Sequence, residues 1–398
     1  MTAPERELVL CTNGPGELYT WAGPLLRAVR ELLPGQRVVL SLLPCPFASG
    51  QELRVARELG FDAVTTVAEY LAFAAGGPRP RAYQPGPGLV LGLGGDAMHA
   101  VRVARRLGRP VWRYSFEPYW NKGLDRLFVP DERTASRSSA PAERKTVVGN
   151  LVADALSAES PPPKRPGLDV LVLAGSRRFE AVHMLGVFAA AAELIAREVQ
   201  GVRFHWPRSR LLTPDAYAEA LSARRVLDLG GAPLRDEGAS LVTPGGTRLR
   251  VVPEEERYSL MRSADLALTI PGTNTLELGI AGAPSIVSLP LQKAGLIPVE
   301  GPAQYVTMIP GLGPWLKARV ARAVVGRMPF VALPNMVAGE LIQPELRGDV
   351  TPQMIAAEAV RLLSDEGERE RIRARLAETM PRPGAAARLA GEIAAALA

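Results

Sequence analysis

An α/β protein of two doubly wound, Rossmann-like domains facing each other across a cleft is what this sequence predicts, on three observations. Strand-like apolar runs alternate with helical periodicities over most of the chain, a proline-rich spacer "SAESPPPKRPG" (Ser157–Gly167) interrupts the rhythm once, and the alternation restarts beyond it. Three consecutive prolines cannot continue a helix and favour an extended connector. At 398 residues the chain also exceeds what one hydrophobic core usually organises. The expected division is 1–156 for the first domain, 157–167 for the linker, 168–345 for the second domain and 346–398 for C-terminal helices.

In chain order, the first array reads as strands at Glu7 to Thr12, Val38 to Leu43, Ala63 to Val67, Leu89 to Leu93, Val111 to Ser115, Arg126 to Val129 and Thr146 to Val148. Helical patterns fall between them, at Trp21 to Leu33, Gln51 to Leu59 and His99 to Leu107. The second array reads as strand Asp169 to Leu173, helix Glu180 to Val199, and strands near Arg203 to Trp206, Arg225 to Leu229 and Arg250 to Val252. Helix Glu255 to Arg262, strand Leu266 to Ile270, helix Thr275 to Ala281 and strand Ser285 to Ser288 follow. "GPWLKARVARAVVGRMPF" is a basic amphipathic segment, "VALPNMVAGELIQPEL" is loop-rich, and helices dominate from Thr351 onward.

Composition narrows the function. Cys11 and Cys45 lie in or beside strands and read as buried thiols of a reducing compartment, since two cysteines form neither a disulfide framework nor a metal-ligand set. His99, His183 and His205 are isolated from one another, so no metal centre and no cofactor is expected. No secretory pattern opens the chain and no run reaches ~18 uninterrupted apolar residues, which predicts a soluble, cytoplasmic protein. A net charge of +6 suits anionic partners such as nucleotides, acidic membrane surface or nucleic acid. The five tryptophans do not interleave with arginines in stripes, which argues against nucleic acid.

Parallel α/β sheets bind ligands beyond the carboxyl ends of their strands, so the residues that leave each strand carry the weight. "LTIPGTNTLELGIAGAP" passes from strand to helix through Gly272, Thr273, Asn274 and Thr275, with Glu277 one turn further in. Gly272 permits close backbone approach, a threonine cap leaves a helix mouth that attracts a diphosphate, and Glu277 is spaced to accept from ribose hydroxyls. In "VLVLAGSRRFE" Ser176 ends a strand and caps the next helix, and Arg177 and Arg178 sit in the first turn against the helix dipole, which points to an anion nearby. In "LVLGLGGDAMHAV" Asp96 opens a helix after Gly94 and Gly95 and faces the cleft as a general base. The turn Gly14-Pro15-Gly16-Glu17 leaves the first strand in the same way, with Glu17 toward an acceptor. Ordinary capping and helix-start preferences account for the same threonines, aspartate and glutamate, and the residues alone leave both readings open. The glycine string is too short for the dinucleotide fingerprint, which sets NAD aside.

Together these segments resemble lipid-A-disaccharide synthase and its relatives, inverting glycosyltransferases of the GT-B fold. "LAGSRRFE" is similar to the family's "LPGSR" stretch, "IPGTNTLELGIAGAP" to its "SGTATLE" nucleotide loop, and "ALPNMVAGELIQPEL" to its "LPNLLAG…PEL" segment. In the first half "GGDAMHAV" resembles "DAPDF", "SFEPYW" the loop before "WAW", and "VVGNLVADAL" the "GHPLVD" stretch. The resemblance implies a GT-B-type fold with a helical C-terminal tail and metal-independent transfer of a hexosamine-type sugar from a UDP-sugar to a lipid or glycolipid acceptor. It implies that Ser176, Arg177, Gly272, Thr273, Asn274, Thr275 and Glu277 hold the UDP diphosphate and ribose, and that Asn335 and Glu345 lie near the donor. Asp96 would be the catalytic carboxylate, and Gly14, Gly16, Glu17 and Glu117 would lie on the acceptor side.

Two departures fall in the acceptor half. The family opens with "AGExSGD" where this chain has "TNGPGELYTWAG", and "DAPDF" has become Asp96-Ala97-Met98-His99. This fits a divergent branch, similar to the synthase-related proteins of cyanobacteria and deinococci, and supports a nucleotide-sugar donor better than any one acceptor. A UDP-sugar 2-epimerase and a non-catalytic nucleotide-sugar-binding protein are the alternative readings. Trp315, Leu316, Val320 and Val324, flanked by Lys317, Arg319, Arg322 and Arg327, suit the inner face of an anionic membrane. Packing on their own domain or on a second subunit of a homodimer suits them equally.

Overall fold

The computed structural model describes residues 6–12, 14–45, 50–158, 160–292, 319, 322–323 and 325–398. The chain divides into two units, one of residues 1–159 with 381–398 and the other of 160–380.

The first unit is built on an all-parallel sheet of seven strands in the order β3-β2-β1-β4-β5-β6-β7. These are β1 Glu7–Thr12, β2 Arg37–Leu42, β3 Ala63–Thr65, β4 Gly88–Leu93, β5 Val111–Tyr114, β6 Arg126–Val129 and β7 Lys145–Val147. Leu8, Val9, Leu10 and Cys11 of the central β1 are fully buried, as expected of a strand covered on both faces. Burial pushes the Cys11 thiol up to about 12, against a hydrogen bond from Ser41. The predicted strand Ala63 to Val67 stops at Thr65 because Thr66 and Glu69 form a capping box that starts the helix Val67–Ala74. The predicted helix from Trp21 begins as a π turn, Leu18–Ala22, ahead of Gly23–Leu32. Pro24 near its junction has no N–H to give, which the wider turn accommodates.

The second unit carries an eight-stranded sheet in the order β10-β11-β12-β9-β8-β13-β14-β15. Its strands are β8 Leu168–Leu173, β9 Val202–Arg208, β10 Arg235–Asp236, β11 Ser240–Val242, β12 Arg248–Pro253, β13 Leu266–Thr269, β14 Ser285–Pro290 and β15 Glu345–Gly348. Among the described residues, β10–β11 and β11–β12 pair antiparallel and the other neighbours pair parallel. The strand expected at Arg225 to Leu229 is instead a turn ending in a 3₁₀ stretch, Leu227–Leu229, because Ala223 takes a left-handed conformation (φ 49°) and Val226 bonds back to its carbonyl. The loop-rich "VALPNMVAGELIQPEL" contains a short helix, Leu333–Ala338, and the first two residues of β15. The helix Arg178–Glu198 is long and apolar enough to cross a membrane by composition, but Ala181, Leu185, Phe188, Ala192 and Ile195 are fully buried in this unit's core. Of the basic amphipathic segment, Trp315, Leu316, Lys317, Val320 and Val324 lie outside the described residues, while Arg322 donates to the Leu291 carbonyl (3.2 Å).

The terminal helices divide between the units. Pro352–Ser364 and Glu366–Thr379 belong to the second, whereas Ala385–Leu397 packs in the first on the helix Gly23–Leu32. Asp154 fastens that last helix: its carboxylate accepts from the backbone N–H of Gly384 (2.7 Å), Ala385 (3.0 Å) and Ala386 (3.2 Å). A carboxylate on a helix N-terminus satisfies orphan donors and meets the dipole. Asp154→Ala should therefore lower stability by about 0.5–2 kcal/mol and speed amide exchange across 385–397 while leaving the second unit's protection unchanged. Unaltered exchange in that helix would refute the fastening.

Candidate functional site

In the second unit the chain runs from β8 to β9, crosses to the edge strand β10, comes back through β11 to β12 beside β9, and then lays β13 on the other side of β8. Ligands of open α/β sheets bind at such a switch point, beyond the carboxyl ends of the two strands. Ser176 and Arg177 follow β8, and Gly272, Thr273 and Asn274 follow β13. Ser176 and Asn274 line one pocket with Gly175, with Ser209 after β9, and with Glu254 and Arg257 after β12.

The turn after β8 differs from its expectation. Arg177, not Ser176, is the N-cap of the helix Arg178–Glu198. Gly175 (φ 95°) lies so close to Glu180 that a Cβ there would stand 2.3 Å from the Glu180 Cβ, so the glycine lets the glutamate fold back. The Glu180 carboxylate then accepts from the backbone N–H of Ser176 (3.0 Å) and Arg177 (3.2 Å), with the Arg177 guanidinium at 3.4 Å. Burial nonetheless pushes Glu180 up, against the pull of Arg177 and the two amides. The helix mouth read as an anion seat is thus filled by the chain's own carboxylate. Arg178 points away to Glu219 (2.6 Å).

After β13, Gly272 (φ 140°) and Thr273 are exposed and Asn274 is half-buried. Neither threonine caps the helix Thr273–Ala281 with its side chain. Thr275 is fully buried; its hydroxyl donates to the Gly272 carbonyl (2.8 Å) and accepts from Leu333 N–H (3.1 Å), so it anchors the turn instead of facing the pocket. Glu277 is also buried, and its Oε1 accepts from Arg257 Nη2 (3.0 Å) and the Tyr258 hydroxyl (3.2 Å), while Oε2 is buried without a partner. Burial raises Glu277, with Arg257 and Tyr258 pulling it back. Burial alone would lower Arg257; Glu277, Tyr258 and Glu254 more than reverse it and keep the guanidinium charged.

Arg257 and Glu254 are the site residues that sequence reasoning missed. "VVPEEERY" read as the acidic start of a helix, and the signal was its position at a strand's carboxyl end. Glu254 accepts from the Ser209 hydroxyl (3.1 Å) and the Arg210 N–H (2.7 Å), tying the ends of β9 and β12 together.

Asn335 and Glu345 are inward-facing. Asn335 Nδ2 donates to the Gln343 carbonyl (2.8 Å) and Glu345 Oε1 (2.8 Å), and its Oδ1 accepts from Ile342 N–H (2.9 Å) and Gln343 N–H (2.8 Å). Glu345 also accepts from Val331 N–H (3.0 Å) and Ala332 N–H (2.8 Å) and pairs with Arg347. Their hydrogen-bonding capacity is spent on shaping the Leu333–Ala338 segment, which Thr275 links to the turn after β13.

The first unit has its own switch point, between β1 and β4. Gly14, Gly16 and Glu17 follow β1, Asp96 follows β4 and Glu117 follows β5. Glu17 folds back over Gly14 and toward Gly94, where a Cβ would meet its Oε1 at 3.6 Å. Asp96 is exposed and caps the helix Ala97–Leu107 by accepting from Met98 N–H (2.9 Å). Arg113, buried at the end of β5, donates to the Gly95 carbonyl (2.7 Å) and the Tyr119 carbonyl (3.1 Å) and lies 3.4 Å from the exposed Glu117. Burial lowers Arg113, with Glu117 and Asp96 opposing. One buried cation thus spans the Gly95–Asp96 turn and the loop after β5.

Residues 247–293, from β12 through the Gly272 turn to β14, match the family model described as lipid-A-disaccharide synthetase. Over 300 residues, 74% of this chain, the sequence is 27% identical to the lipid-A-disaccharide synthase of Anaeromyxobacter dehalogenans, covering 64% of that protein. The chain spans a little under two thirds of such curated relatives, and its similarity to lipid-A-disaccharide synthases agrees with the motifs. Among solved structures, the UDP-GlcNAc 2-epimerase from Neisseria meningitidis bound to UDP-GlcNAc gives a TM-score of 0.54 at 12% identity, over 98% of this chain and 100% of that one. The calicheamicin glycosyltransferase gives 0.52 at 15% identity over 99% of each. At such identities the likeness is one of fold, the GT-B type with two Rossmann-like units.

Asn335→Asp removes the Nδ2 donors and sets a second carboxylate beside Glu345. At neutral pH it should cost about 1–3 kcal/mol, and the deficit should shrink as pH falls, because paired carboxyls take up a shared proton. Urea denaturation of both proteins at neutral and acidic pH reads this; an equal deficit at both would overturn it.

Proposed function

We propose that this chain is an inverting, metal-independent glycosyltransferase that moves a hexosamine-type sugar from a UDP-sugar to a hydroxyl of a lipid or glycolipid acceptor. The observation that carries the reading is the pocket where Ser176 and Asn274, from two of the motifs that resemble the synthases, meet the half-buried cation Arg257. A guanidinium held charged beside a glycine-rich turn suits a diphosphate, which needs fixed donors where its charge grows.

In this reading Ser176, Arg177, Gly272, Thr273 and Asn274 receive the diphosphate together with Arg257. The unfilled Oε2 of Glu277 accepts from a ribose hydroxyl. Thr275, Asn335 and Glu345 act as positioning residues that hold the turn. On the acceptor side Gly14, Gly16, Glu17 and Glu117 border Asp96, whose carboxylate takes the proton of the attacking hydroxyl. The acceptor oxygen bonds to the anomeric carbon as the bond to UDP breaks, and UDP leaves with the electron pair. The transition state is oxocarbenium-like, by analogy with glycoside hydrolysis. A lipid acceptor sets the reaction at the cytoplasmic face of a membrane.

Arg177→Ala should weaken UDP binding about tenfold, the cost of one charge-assisted contact, and Asp96→Asn should cut turnover by about 10²–10⁴ without weakening UDP. Isothermal titration with UDP, and UDP release from UDP-sugars with lipid extracts as acceptors, measure the two effects. The reverse pattern rejects the assignment. Conversion of UDP-HexNAc with no acceptor present would replace the transferase by a 2-epimerase, and binding with no turnover by a nucleotide-sugar-binding protein.

A further inference from the structure

The amino-terminal edge of the second unit's sheet, opposite the pocket just described, holds a hollow of about 660 Å³. That is within the range of small-molecule sites, about 300–1,000 Å³. Its floor is one face of β9 and β12. The register sets Arg203 beside Asp169 and His205 beside Leu171 and Arg250, and Arg248 shares that face two residues earlier. Strands in a helix-covered parallel sheet are normally apolar on both sides. "VRFHWPR" and "RLRVVP" instead alternate, and their polar halves line the hollow. Ser259 and Ser263 wall it from the helix Arg257–Ser263, and Lys164 and Arg165 from the proline-rich segment that joins the two units.

Charge and burial point to the occupant. The lining carries Lys164, Arg165, Arg203, Arg248 and Arg250 against the carboxylates of Asp169 and Glu256. Arg203 is committed to Asp169 through two hydrogen bonds (2.8 and 2.7 Å). Among the described residues, Arg248 and Arg250 pair with partly exposed carboxylates, Glu237 at 2.8 Å and Glu256 at 3.8 Å. Exposed pairs of this kind are worth little and exchange readily for a better anion. His205, 8% exposed, bonds Asp169 through Nε2 (2.7 Å), while its Nδ1 is buried with no partner.

We propose that this hollow is a second binding site, distinct from the carboxyl-edge pocket, for a small anion of the phosphate or diphosphate class, gripped by Arg248, Arg250 and Arg165 above His205. The proposal does not depend on the glycosyltransferase reading.

Titration of the full chain with inorganic pyrophosphate at low ionic strength tests it. Arg248→Gln/Arg250→Gln should bind about tenfold or more weakly, Arg165→Ala about threefold more weakly, and Arg361→Ala, an exposed arginine outside both pockets, like the unaltered protein. A matching thermal melt checks that the double variant folds, and Arg165→Ala, on the exposed segment, serves if it does not. With three histidines in the chain, the His205 imidazole resonance is assignable and should shift on pyrophosphate addition. Equal binding by all the proteins, an equal loss in Arg361→Ala, or no binding would overturn the site. Phosphatidylglycerol vesicles separate the sources of the anion. Cosedimentation lost in the double variant assigns the site to a lipid headgroup, and its absence alongside pyrophosphate binding assigns it to a soluble phosphate.

Discussion

A parallel strand covered on both faces has no room for working side chains along its length, so chemistry collects where the strands end. In both units the sheet reverses beside its first strand, between β1 and β4 and between β8 and β13. Neighbouring strand ends therefore diverge there, and the turns Gly14–Glu17 with Gly94–Asp96, and Gly175–Arg177 with Gly272–Asn274, flank the openings. The apolar run Leu8 to Cys11 inside β1 and the polar turn that follows the strand express one constraint.

Placing charge at those openings requires charge behind them. A buried ion deprived of its partner costs several kcal/mol, so each buried cation near a turn comes with carboxylates or carbonyls. Arg257 is held by Glu277 and by Glu254 at 3.5 Å, and Arg113 by the carbonyls of Gly95 and Tyr119. Glu180 plays the converse part, a carboxylate that occupies backbone donors at the start of a long helix. The cation that lines the second unit's pocket thus comes from the end of β12, two strands away from β8, and adds to the Arg177 that the local motif advertises.

The amino edge of the same sheet obeys the rule in reverse. Where β9 and β12 alternate polar with apolar residues, the helix above them does not seal the face, and a hollow is left. The departure from an all-apolar pattern is visible in "VRFHWPR" and "RLRVVP", but which side of the sheet stays open depends on the register with β8.

By itself the sequence determined the strand-helix alternation, the break at the proline segment, and the turns at which polar residues leave apolar strands, because periodicity and backbone chemistry are local. Asp96 at a helix start and Gly272 at a turn were legible for that reason. The tertiary structure decided which of those residues face outward. Thr275, Asn335 and Glu345 lie in motifs that look like ligand contacts, yet their partners, Leu333, Gln343 and Val331, use up their donors and acceptors. Arg257 enters the pocket only because β12 pairs with β9 and β9 with β8. Strand order and burial arise from contacts between segments far apart in the chain, and no window of sequence contains both sides of such a contact.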